Sequence, residues 1–167
     1  MKRVGRAENQ DAREAKQEVC VRESPDNYDA ELLLRLYELR REEKLRRARE
    51  WLIGEFQIDS VESFNRQLPP GSEENTFFRM AVSYWDMAAS LVNHGLLKED
   101  LFFENTMELW LVWEKVKHLA PGLREARKNP LAWKNLEAVA GRYEQWMATR
   151  APEALDEMRK RLKAPRK

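Results

Sequence analysis

Cysteine is almost absent from this sequence: 167 residues contain one, Cys20. A single thiol excludes an internal disulfide framework and fits a reducing compartment. Histidine is nearly as scarce, with His94 and His118 alone. A di-iron bundle needs Glu-x-x-His on paired helices, and neither histidine has that partner. Glycine and proline number 6 and 7, and alternating β-branched runs are lacking, which argues against strands. No apolar run approaches the ~20 residues of a membrane span, because Glu, Lys or Asp interrupts each candidate. The first residues, MKRVGRAENQDAREAKQE, hold no apolar signal core. These features lead us to expect a cytoplasmic chain without membrane attachment. The formal net charge is +1, so no global field draws in nucleic acid or an anionic membrane.

What the sequence does contain is helix-forming and strongly patterned. It is 43% hydrophobic and 35% charged, rich in Leu, Glu, Arg and Ala. Residues 1–26 are polar and read as a disordered or loosely helical tail holding Cys20. Residues 27–150 read as a helical bundle, and residues 151–167 as a short amphipathic helix with a basic end. The expected fold is all-α: a single-domain bundle of about five to six helices around a central hydrophobic helix at about 98–120, with no β-sheet.

That central helix is the most continuously apolar part of the chain. On a helical wheel its apolar residues cover half the circumference or more, leaving Glu104, Glu108, Lys115 and His118 to meet water. Upstream, the apolar face of residues 30–56 changes phase, so we expect two helices with a break or kink near residues 41–43, with one long helix with a solvated middle as the rival; Asn27 or Asp29 would cap the first. A turn capped by Asp59 or Ser60 leads to Leu68-Pro69-Pro70-Gly71. Ser72, followed by Glu73 and Glu74, then opens a nearly surrounded helix that runs to about Asn93. Gly95 is the left-handed residue that ends it, and the chain returns as an antiparallel hairpin. Asn129-Pro130 is expected to start a one-sided helix over residues 131–150.

Residues 57–120 carry 5 basic and 10 acidic side chains, whereas residues 121–167 carry 12 and 6. Pairing between these segments is the preferred reading. The bases Arg40, Arg41, Lys44, Arg46, Arg47 and Arg49 are interleaved with acids and read as a solvated face.

Site chemistry is thin, and the chain points away from catalysis, metal and cofactor. Glu114 and His118 are spaced i, i+4, but a metal site requires more ligands. There is no Cys–His pairing, no Gly-x-Ser-x-Gly elbow and no glycine-rich phosphate loop. Glu104 and Glu108 lack a nucleophile or base beside them in sequence. The six tryptophans, Trp51, Trp85, Trp110, Trp113, Trp133 and Trp146, lie on or beside apolar arcs and read as core. The expected function is therefore a non-enzymatic interaction or scaffold domain with a protein partner or a second copy. One alternative is nucleic-acid binding through residues 124–128 and 159–167; another is a small-molecule sensor or enzyme with a pocket among the tryptophans.

Several short motifs carry a resemblance. Tyr28-Asp29-Ala30-Glu31-Leu32-Leu33, Leu36-Tyr37-Glu38-Leu39-Arg40 and Arg47-Ala48-Arg49, followed by Trp113-Glu114, residues 124–127 and Trp133-Lys134-Asn135-Leu136-Glu137, resemble a family of small bacterial all-helical domains of unknown function over about residues 28–150. The resemblance implies a helical fold and supplies no catalytic residues. Some members have an N-terminal membrane anchor, where this chain has a polar tail.

Overall fold

The computed structural model describes residues 24–163. The N-terminal tail with Cys20, and the basic end past residue 163, lie outside the described residues. The described chain is all-helical, with nine helices and no strand. They are α1 (Asn27–Arg40), α2 (Glu43–Gly54), α3 (Val61–Gln67), α4 (Glu73–Asn93), α5 (Glu99–Asn105), α6 (Glu108–Val116), α7 (Ala120–Ala126), α8 (Lys134–Arg150) and α9 (Ala154–Lys163). Among these residues no helix is long and apolar enough to cross a membrane.

Four helices make the core. α2 packs on α4, α4 on α8, α8 on α6 and α6 on α2, and α4 also touches α6 across the ring. Ala48, Ala81, Ala88, Ala89 and Ala140 are fully buried on these helices, and small side chains there let the axes approach closely. α4 is thus the axis of the fold. It starts where Ser72 Oγ accepts the Asn75 N–H and stops at Gly95, whose φ is +68°.

The expected central helix over 98–120 is not continuous. α5 ends at Thr106, which is extended at φ −151° and ψ 119°, and α6 ends before Ala120. A helix apolar on more than half its circumference needs neighbours on every side, and breaking it lets each piece face a different neighbour. α5 places the Phe103 ring edge-on to Tyr143, 5.2 Å away, whereas α6 turns Leu109, Trp110, Val112 and Val116 into the ring. The break leaves the buried Thr106 Oγ1 and Trp110 Nε1 without hydrogen-bond partners.

The one-sided helix also begins later than the Asn129-Pro130 signal implies. Asn129 Oδ1 accepts the Leu131 N–H, which closes a local turn instead of a helix cap. Trp133 takes a left-handed φ of +58° before α8 starts at Lys134. From α4, Asp86 Oδ1 accepts the Leu136 N–H at 2.9 Å and so satisfies α8's first turn across the interface.

The chain does break between α1 and α2, and Glu42 caps α2 by accepting the Leu45 N–H. α1 is capped by Asp26, not by Asn27 or Asp29: Asp26 accepts the Tyr28 and Asp29 N–H groups while Asp29 accepts the Asp26 N–H. Asp29 is fully buried and also accepts the Lys98 N–H at 2.7 Å, tying α1 to the start of α5. Pairing between the acidic and basic segments is present as Arg142–Glu99 and Arg159–Glu114. Gly122 on α7 is a close-approach position, since a Cβ there would lie 2.7 Å from Val61 Cγ2 on α3.

Candidate functional site

The residues that could carry chemistry fall into two separate places. The first lies where the C-terminal half of α1 meets α4 and the α5–α6 break. A pocket of about 270 Å³ opens there between Leu33, Leu36, Tyr37, Tyr84, Trp85 and Phe102. Its polar lining residues are Arg40, Asn105 and Thr106. Asn105 spends its amide on the Leu101 carbonyl, closing the end of α5. The Tyr84 hydroxyl donates to the Leu36 carbonyl at 2.6 Å, and burial pushes its pKa up to about 12. It stays neutral and holds α1 against α4.

Beside this pocket lies a charged cluster. Glu108, expected to face water, is instead largely buried and takes a two-pronged pair from Arg49 through Nε and Nη2. Trp85 Nε1 donates to the same carboxylate at 3.4 Å. Arg49 also donates through Nη1 to the Arg40 carbonyl at the end of α1. A one-turn step in an isolated helix pattern could not show this, because the partners come from α1, α2 and α4. Arg40 reaches Glu108 only at 3.9 Å, beyond hydrogen-bond distance, and lies 5.1 Å from the centre of the Tyr37 ring.

The second place is an open cleft of about 510 Å³ whose lining includes Asp59, Glu114, Lys115 and His118. Asp59 is exposed, and the other three are engaged with the fold. His118 Nε2 lies 2.7 Å from the Ile58 carbonyl, and Lys115 Nζ donates to the Phe56 carbonyl. Glu114 is paired with Lys117 and Arg159. His94 Nδ1 lies 2.8 Å from the Ser90 carbonyl. Glu104 is exposed, apart from Glu108 in role. Among the described residues no group of three or more His, Cys, Asp or Glu converges on a point.

Of the tryptophans, Trp85 and Trp110 are buried and the other four pack against the core from its edge. Trp85 lines the apolar pocket, and Trp133 lines a different one. The basic segments are divided too. Arg124 binds the Ala132 carbonyl and Glu137, and Glu137 is held below the usual carboxylate range by Lys134 first and then Arg124. Arg159 is pinned by Glu144, Glu114 and Asp156, and the Glu144 contact first among these holds its guanidinium charged. Arg127 and Lys128 remain exposed.

Residues 27–143 match the family described as a domain of unknown function, DUF4760. The chain belongs to this family. No curated protein and no solved structure matches it. The DUF4760 span contains every lining residue of the apolar pocket and the Arg40–Arg49–Glu108 cluster, while Arg159 and α9 follow it.

Proposed function

We propose that this DUF4760 domain is a non-enzymatic interaction module of the cytoplasm, and that α1 is its recognition element, pairing with a second copy of the chain. The observation that carries this is the outer surface of α1. Tyr28 and Leu34 are 73% and 63% exposed, and Tyr37 and Leu39 lie out beside them. A surface helix ordinarily turns such residues inward, and single exposed apolar residues are ordinary where four on one helix are not. At about 100° per residue Tyr28 and Leu39 share one flank of α1 and Leu34 and Tyr37 the other, with Glu31, Arg35 and Glu38 on the arc between them.

Charge complementarity supports a second copy as the occupant. Exposed acids and bases alternate along the helix, Glu31 and Glu38 against Arg35 and Arg41. Such a surface complements itself when two copies meet about a twofold axis. A net charge of +1 adds no repulsion between them. Cytoplasmic residence is supported by the one cysteine and the highly charged composition.

Light scattering across a concentration series tests the reading. The wild-type chain is expected to dimerise and Leu34→Glu to be monomeric with unchanged helix content. A wild-type monomer at all concentrations, or a dimer that survives Leu34→Glu, overturns it.

A further inference from the structure

The pocket beside α1 carries a charge that its own surroundings do not neutralise. Two arginines, Arg40 and Arg49, stand at this place against the one carboxylate of Glu108. Both oxygens of Glu108 are already taken by Arg49, with Trp85 on one of them. The Arg40 guanidinium is 22% exposed and 3.9 Å from that carboxylate. It makes no side-chain hydrogen bond of its own among the described residues. Tyr84 brings no negative charge, since its phenol is bound to the Leu36 carbonyl. One positive charge is therefore left over at the edge of an apolar, aromatic pocket, and the buried Thr106 hydroxyl on the lining is also unpartnered.

We infer that this pocket is a binding site for a small apolar monocarboxylate, with its carboxylate on Arg40 and its hydrocarbon body against Leu33, Tyr37, Trp85 and Phe102. A guanidinium presents two parallel N–H groups that match a carboxylate. One excess charge calls for a monoanion, and the apolar walls exclude a strongly hydrated dianion such as phosphate. The volume, about 270 Å³, lies just below the range of drug-sized ligand sites, which run from about 300 Å³ upward. That suits a short fatty or arylalkyl acid. The assignment does not rest on the pairing of α1; because Leu34 and Tyr37 belong to both places, the titration that tests it is run at chain concentrations where the protein is monomeric and, separately, where any dimer forms.

Calorimetric titration of the full chain with octanoate, and separately with octanol, tests it. Octanoate is expected to saturate one site per chain and to bind at least about tenfold more tightly than octanol, because the charge-assisted contact with Arg40 outweighs the carboxylate's larger desolvation cost. Arg40→Gln should remove that preference while thermal unfolding remains cooperative. If Arg40→Gln does not fold, Arg40→Lys replaces it, and this variant should bind octanoate more weakly than the wild type, since an ammonium lacks the paired N–H groups. Equal binding of the two ligands by the wild type, octanoate binding unaltered in the Arg40 variant that folds, or no saturation with octanoate overturns the assignment.

Discussion

The two helices at the ends of the described chain, α1 and α9, are both docked on the four-helix ring, yet they are held differently. α1 buries Leu36 and Asp29 and packs Leu32 and Leu33 against the core. It is fastened by polar links: the capping box at Asp26 and Asp29, the Lys98 N–H on Asp29, the Tyr84 hydroxyl on the Leu36 carbonyl and Arg49 on the Arg40 carbonyl. α9 buries Leu155, packs Met158 beside it and locks with Arg159, whose guanidinium lies 5.2 Å from the Trp110 ring centre. Polar fastening of the backbone adds to that packing and leaves Tyr28, Leu34 and Leu39 exposed. The same residue types on α9 are spent on docking.

Five variants break or sharpen this contrast. The largest effect is expected for Leu155→Ala, about 3 kcal/mol of lost stability in chemical denaturation, because a buried leucine leaves a cavity under α9. Next comes Asp29→Ala, at about 2 to 3 kcal/mol. It removes a buried charged acceptor from two backbone N–H groups, and hydrogen exchange should show α1 opening ahead of the ring. Arg159→Ala should cost about 1 to 2 kcal/mol, since Glu114, 8% exposed at its side chain, keeps only Lys117.

A smaller, pH-dependent effect belongs to Glu42. The Leu45 N–H, followed by the Lys44 N–H, holds its carboxyl below the ordinary value of 4.5. A lowered folded pKa means that the cap is fully present above pH 4.5 and is lost as pH falls through the folded value. Helicity followed from neutral to acid should therefore decline less in Glu42→Gln than in the wild type. Last, Leu34→Ala in dilute solution should change stability by less than about 0.5 kcal/mol. A loss comparable to Leu155→Ala would show that Leu34 also holds α1 in place.

Much of the helical skeleton is legible in the sequence. Ser72 and Gly95 mark α4 at both ends, Ser60 caps α3, and the phase change before Leu45 marks the α1–α2 break. These signals are local, because caps and left-handed residues act within one turn of chain. The α1 cap at Asp26 and the turn at Asn129 are local corrections, whereas at Asp86 and Glu108 a distant residue supplied the partner. Asp86 looks solvent-facing on α4 but caps α8 through Leu136. Glu108 sits on a polar arc but is turned inward by Arg49. The candidate pocket was the least legible feature, since its residues come from α1, α4 and the α5–α6 break.

Composition and periodicity alone thus determine that this chain is all-helical and that α4 is nearly surrounded, because apolar area must be removed from water whatever the topology. The interruption of the apolar stretch at Thr106, the inward pair of Arg49 and Glu108 and the exposure of α1 were decided only by tertiary packing. A continuous stripe can be covered in one piece or in two, and the choice depends on which neighbours arrive. In this chain Tyr143 draws Phe103 to one side and the ring draws Trp110 to the other, and the chain breaks between them.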